Sequence, residues 1–499
     1  MSSDELIREQ SELEDLAGLL SQEVKNPDED IISRYTKIIY DAVSFVNGKK
    51  SEQRYSQTNV NKEMMERGIY TQAGIDDLFR HNIGEVVVTR DLQDHRFNFA
   101  LKGIPLPIEE EVFMESLPCN IDMYDDEFRE FTREHQNTNL TRAFVVEQKV
   151  VVNSKGGKVI QSIPSFLISY SHGYAPIPTN RNLGVVCTSD EDVRRLPTLI
   201  KYLADPTLDK RIKNAESFSE AFHELHGIAG LKYGSLEEAG IPLSELYDVV
   251  MLSGIPVHEI FGHHFEEPIK LLDFGESGTF KSGQTIQNKD IILSDNPRQE
   301  IEDFRVQGFT HVDAYGRRRE ERVHIKDGKV VGFLGSEYAD PEKFKQFLNL
   351  ERSEFVGNAS QHNGIFFPQP RMSCTVFDGP SEDVDLEGKL LLVPVGGHTE
   401  PRDKTYMVRS FESYVVRDGE PRRLIPLQVT GGINQALANL VLLDDLNYQS
   451  GSCGKPEPLP ESRGQAEVPV SQFVNSQMWE GQQVYPLPIS DSHLRVLLK

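Results

Sequence analysis

At 499 residues the chain is too long for one hydrophobic core, so two or three domains are expected. Its composition, 38% hydrophobic and 26% charged, is that of a globular protein, and no apolar run nears the roughly 18 residues a membrane span needs. The formal charge of −25, with basic runs as short as Arg317-Arg318-Arg319 cut off by Glu320 and Glu321, argues against nucleic acid as a partner.

The acidic start MSSDELIREQ lacks the basic and apolar regions of an export signal. The cysteines Cys119, Cys187, Cys374 and Cys453 form no CxxC pair. A disulfide framework is not expected, and a reducing, cytoplasmic setting is.

In chain order, the first 25 residues read as a helix. Ser2 and Glu5 have capping-box spacing, and Leu6, Leu13, Leu16, Leu19 and Leu20 recur near helical spacing. Residues 30 to 145 are mixed, with short apolar runs such as Glu85-Val86-Val87-Val88. Residues 144–170 predict a hairpin turning at Ser154-Lys155-Gly156-Gly157. Pro176 and Pro178 mark a break near 175–190, and residues 190–245 look largely helical.

A short apolar run, Val249 to Leu252, then leads into a histidine-rich segment. Beyond 320, Asp327-Gly328 and Asp418-Gly419 each lie between alternating runs and predict hairpins. GGINQALANLVLLDDLNY (431–448) reads as a helix leading into a loop that carries Cys453. The expected fold class is α+β: an N-terminal α/β domain, residues 1–244, then a β-rich C-terminal domain, residues 245–499.

The chemistry lies in IPVHEIFGHHFEEP. Two histidines, His258 and His263, with Glu259 beside the first, suit a zinc hydrolase: imidazoles hold the metal and the carboxylate acts as base. The common form spaces its histidines four apart. Five steps at about 100° each leave these two roughly 140° apart on a regular α-helix, so they can chelate one ion only if a π-type turn adds a residue between them. Gly262 would tolerate that distortion. His223-Glu224-Leu225-His226 also joins histidines to a glutamate, but its spacing suits no single-helix peptidase motif and reads as a surface helix.

The run VVMLSGIPVHEIFGHHFE resembles the TldD/PmbA family, whose metallopeptidase members carry HExxxH after an apolar strand. Gly451-Ser452-Cys453-Gly454-Lys455 resembles the family's C-terminal Cys-Gly-Lys segment, and Gly357-Asn358-Ala359, Pro370-Arg371-Met372-Ser373 and Gly396-Gly397 resemble stations between the two. The resemblance is good from about 245 to the end and faint before it. It implies zinc bound by His258, His263 and Cys453, Glu259 as general base, and a curved antiparallel sheet around the metal-binding helix.

Glu266 is a rival third ligand, ranked here as a partner that orients a ligating histidine. Arg371 is a candidate for binding substrate oxygens, with a surface salt bridge as its other reading. His398 is a candidate oxyanion donor, or simply a loop histidine. His264 is assigned no role. The resemblance further implies hydrolysis of short or unfolded peptides in an intimate dimer, either a homodimer or a heterodimer with a PmbA/TldE-like subunit. A zinc hydrolase of a non-peptide amide, a non-catalytic zinc-binding or partner subunit, and a peptide-binding module with a chance histidine cluster are the competing readings.

Overall fold

The computed structural model describes residues 3–24, 30–66, 69–78, 81–91, 110–173, 179–266, 280–335, 345–346, 349, 354, 357–360, 369–400, 404–456 and 465–488. Helix α1 (Ser3–Glu23) forms as its leucine spacing predicts, and Leu13, Ala17 and Leu20 pack on Val150, Val152 and Ile160. The capping box at Ser2 and Glu5 and the break at Pro176 and Pro178 lie outside the described residues and side chains.

The first sheet is built from β1 (Asp30–Val46), β2 (Lys49–Glu66), β3 (Ile69–Leu78), β4 (His81–Asp91) and β5 (Glu110–Met114), then, after helix α2 (Asp125–Glu134), β6 (Thr138–Asn153), β7 (Lys158–His172) and β8 (Thr179–Val186). Its order is β4-β3-β2-β1-β6-β7. The outer edge of β7 is shared by β5, parallel along Lys158–Ser162, and β8, antiparallel along Ser165–His172. The predicted hairpin is β6–β7, paired from Thr138↔His172 to Val152↔Lys158. Asn153 closes its turn by accepting the backbone N–H groups of Lys155 (3.0 Å) and Gly157 (2.9 Å), while Gly156 takes the positive φ (92°) that the turn requires.

Between the sheets lie α3 (Asp190–Arg195), capped reciprocally by Ser189 and Asp192, a 3₁₀ turn (Leu196–Tyr202), and α4 (Phe218–Ala229), capped by Ser217. Helix therefore covers part of the 190–245 span predicted for it.

The second sheet starts at β9 (Leu246–Met251) and β10 (Ile292–Asp295). A ribbon, β11 (Glu300–Ile301) and β12 (Phe304–Arg305), precedes β13 (Arg322–Lys326) and β14 (Lys329–Val330). A second ribbon, β15 (Ala359–Ser360) and β16 (Gln369–Pro370), precedes β17 (Cys374–Asp378), β18 (Ser381–Glu382), β19 (Leu390–Glu400), β20 (Thr405–Arg417), β21 (Glu420–Leu424) and β22 (Leu427–Gly432). Helix α5 (His263–Glu266) lies between β9 and β10, and α6 (Ile433–Ala438) leads to β23 (Leu440–Pro456) and β24 (Gln465–Pro486). Both Asp-Gly hairpins form, as β13–β14 and β20–β21, with Asp327, Gly328, Asp418 and Gly419 all at positive φ.

Strand β24 organises this sheet. It pairs β17, β22, β23 and β9, and the pairings β24-β22-β20-β19-β9-β24 run in a closed circuit. Most pairs are antiparallel, but β17–β24, β18–β23 and β19–β9 are parallel.

The helix expected over 431–448 is confined to Ile433–Ala438. From Leu440 the chain is strand, with Leu440 opposite Trp479 and Cys453 opposite Val468. The leucine spacing there looked helical, but pairing with β24 overrides that local preference. Cys453 accordingly lies in a strand rather than in a loop. The protein is α+β, with few helices and a preponderance of strand. No helix among the described residues is long and apolar enough to cross a membrane.

One hydrophobic core draws on both sheets, from Val43, Phe144 and Phe166 to Val250, Leu391 and Tyr414. It also holds a buried ion pair that joins them: Arg181 of β8 donates to both carboxylate oxygens of Glu412 on β20, at 2.5 and 3.1 Å. Replacing Glu412 with glutamine strands the Arg181 charge away from water and is expected to cost about 3 kcal/mol, read as a lower urea midpoint. An unchanged midpoint would contradict that role.

Candidate metal centre

After β9 the chain enters a π-helical turn, Val257–Gly262, that runs directly into α5. Pro256 starts it at φ −60°, a conformation its ring prefers. The His263 N–H reaches the His258 carbonyl, five residues back. This is the wide turn that the five-residue spacing demands. It brings the two imidazoles onto one face, ring centroids 4.9 Å apart. The opposite face, Val257, Ile260, Phe261 and Phe265, is fully buried, with Phe261 against Trp479.

Gly262 does something other than expected. It is not among the glycines at positive φ, so the wide turn does not depend on its backbone freedom. A Cβ there would instead stand 2.6 Å from Met372 Sδ, so its small size lets Met372 close over the helix. Gly397 of β19 plays the same part beside Glu259, whose Cβ would be 3.1 Å from an added methyl.

Strand β23 delivers Cys453 to this face, with Sγ 3.5 Å from His263 Nε2. The donor atoms of His258, Glu259, His263 and Cys453 all lie within 4.8 Å of one another. Each histidine is oriented from behind. His258 Nδ1 meets Thr375 Oγ1 at 2.8 Å, and His263 Nδ1 meets Glu266 Oε2 at 2.7 Å. His258 Nε2 is then left buried with no hydrogen-bond partner among the described residues. Such an atom is costly unless something binds it.

The electrostatics favour a cation at the same point. Burial opposes ionisation of the Cys453 thiol, but the adjacent His258 and His263 outweigh it and bring the thiol down to about 6. Burial likewise pushes the Glu259 carboxyl up, and His263 more than reverses this. His263, though desolvated, is driven well above the ordinary histidine range by Glu266, Cys453 and Glu259. Two imidazoles, a low-pKa thiol and an orphaned nitrogen fit a tetrahedral zinc site with one position left over.

Arg371 is neither a surface residue nor free to meet substrate. It is 1% exposed, and its Nη2 donates to the Cys453 carbonyl at 2.5 Å while its Nε lies 3.7 Å from Glu266 Oε1. Glu266, itself fully buried, also accepts the Met372 N–H at 2.6 Å. A polar chain His263–Glu266–Arg371–Cys453 thus ties the helix to β23.

His398 does not join the cluster. It follows Gly397 on β19, so it points to the other face and borders a surface hollow with Leu246 and Met407. His264 is buried against Phe280. Thr375, Met372 and Gly397 were not singled out by sequence for these parts. Gly396-Gly397 and Pro370-Arg371-Met372-Ser373 stand out as sequence motifs, whereas Thr375 carries no such signal.

An alanine at position 262 must displace Met372, and overpacking of this kind is expected to cost about 1–3 kcal/mol. Paired with Met372→Ala, which vacates the space, most of that loss should return in a thermal melt. A Gly262→Ala variant as stable as the parent would contradict the close approach.

Residues 248–462 match the family described as PmbA/TldA metallopeptidase C-terminal domain. No curated protein matches the sequence. Among solved structures, TldE from Thermococcus kodakarensis has 13% identity and a TM-score of 0.58, over 95% of this chain and 99% of that one. A candidate modulator of a DNA gyrase from Thermotoga maritima has 12% identity and a TM-score of 0.57, over 95% and 100%. One from Bacteroides thetaiotaomicron has 12% identity and a TM-score of 0.54, over 94% and 99%. At such identities these structures speak to the fold, and they share it over nearly the whole chain. The sequence match covers the segment that houses the His-Glu-His helix, and with the shared fold it supports membership of the TldD/PmbA family.

Proposed function

We propose that this chain is a zinc-dependent peptidase whose catalytic domain spans residues 245–499. The observation that carries the reading is the convergence of His258, His263 and Cys453 beside Glu259, with His258 Nε2 buried and unpartnered. A zinc ion held there supplies Lewis acidity, polarising a carbonyl and making water a stronger acid. Glu259 takes the proton from the attacking water and returns it to the leaving amine nitrogen. Its side chain is 25% exposed and that of His263 20%, so solvent reaches both. Thr375 and Glu266 hold the histidine rings, and Arg371 holds the Cys453 strand, so these three act through the ligands.

A cleft of about 510 Å³ supports an extended substrate. It lies between β1, β6 and β7 of the first sheet and β23–β24 of the second, and its lining includes Gly451, Ser452 and Met372, next to the cluster. Beyond Leu446, β23 pairs only with β24 among the described residues, which suits strand addition by a peptide backbone along its other edge. The intact His-Glu-His helix supports reading the chain as the TldD-like, active type, which would work as a homodimer or with a PmbA/TldE-like subunit. Free cysteines throughout suit the cytoplasm. The gyrase-modulating role named for two of the fold relatives stays with those proteins.

Glu259→Gln is expected to lower hydrolysis of a library of short peptides at least about 100-fold while zinc content is unchanged. Undiminished hydrolysis would contradict the assignment of the base. Glu266→Gln should weaken zinc binding by about 10–100-fold, measured against a competing chelator, because His263 loses the partner that orients it.

A further inference from the structure

Among the described residues a second histidine cluster lies at the edge of the first core, away from the His258–His263 helix. His223 and His226, one turn apart on α4, face the C-terminal end of α2. There Glu134 is the last helical residue and His135 the cap. The His135 ring centroid lies 4.7 Å from that of His223 and 4.2 Å from that of His226, and His172, at the end of β7, lies 4.4 Å from His226. Phe131 supports the group, 4.5 Å from His135 and 5.0 Å from His223. We propose that Glu134, His135 and His223 form a second divalent-metal site, for a borderline ion such as zinc, nickel or copper, that staples α2 to α4.

Geometry carries the proposal. One donor atom from each of Glu134, His135 and His223 lies within 4.8 Å of the others, and small rotations bring them to the about 3.3 Å spacing of donors around tetrahedral zinc. His223 Nδ1 lies 2.6 Å from the Ser219 carbonyl, which can only accept, so Nδ1 carries the proton and Nε2 keeps its lone pair. His135 Nε2 is buried without a hydrogen-bond partner among the described residues, and so is His226 Nδ1 behind it. Aromatic packing accounts for the rings but leaves those nitrogens unsatisfied.

Imidazole with one carboxylate suits zinc, nickel and copper. Ions have a route in, because His223 borders an open hollow with Arg211, Ser219 and Glu220.

The test is titration of the full chain with Co²⁺, followed by visible and near-ultraviolet absorption. Cobalt at the centre containing Cys453 carries a thiolate charge-transfer band, whereas cobalt at the histidine cluster does not. The expected result is an equivalent bound without that band, its affinity falling at least about 100-fold in His135→Ala and in His223→Ala, beyond what losing a mere orienting partner costs. His223 is exposed, so His223→Gln, with folding checked by circular dichroism, repeats the test without disturbing the core. Absence of a band-free equivalent, or band-free uptake unaltered in these variants, would overturn the proposal. A missing thiolate band would count against the other centre alone and leave this test intact.

Discussion

The structure turns on one helical hydrogen bond, from the His263 N–H to the His258 carbonyl. An α-helical turn would aim the two imidazoles in different directions. The added residue of the π turn aligns them and sets Glu259 on the same side. The rest of the site accommodates that widened turn. Small residues, Gly262 and Gly397, let Met372 and β19 approach it, and the apolar face of the helix is seated on Phe377 and Trp479.

The second requirement is to bring a side chain 190 positions away to within 3.5 Å of His263. Strand β24 does this by pairing β23, which carries Cys453, while also pairing β9, which leads into the helix. The buried polar chain then fixes the distance. Glu266 binds His263, Met372 and Arg371, and Arg371 binds the backbone of Cys453. A fully buried carboxylate is costly unless every oxygen is engaged, and here both are. The same accounting explains why the site favours a cation. Cys453, Glu259 and Glu266 place acidic groups around His263, with Arg371 against Glu266 on the far side.

Legibility in the sequence followed the range of the interaction. The His258/His263 spacing, the wide turn it demands and the hairpins at 154–157, 327–328 and 418–419 are local, and each was readable from helix arithmetic or turn chemistry. The part played by Glu266, three residues from His263, was readable for the same reason. Cys453 was reachable through family resemblance but not from spacing, because strand pairing brings it in. Its strand setting was missed together with the excess helix drawn over 431–448, since pairing with β24 decides that stretch. The settings of Arg371 and His398 were not readable, because a motif does not reveal which way a side chain points. One proved wholly buried and the other lies on the far face of β19. Thr375 is an ordinary alternating residue of β17, and nothing in its neighbourhood marks it as the partner of His258.

Zinc K-edge X-ray absorption on the full chain loaded with a single equivalent tests the account most directly. The prediction is a first shell of one sulfur at about 2.3 Å with nitrogen or oxygen neighbours at about 2.0–2.1 Å, the sulfur vanishing in Cys453→Ala. A shell without sulfur in the unaltered protein, or one unaffected by that substitution, would contradict a centre built from His258, His263 and Cys453.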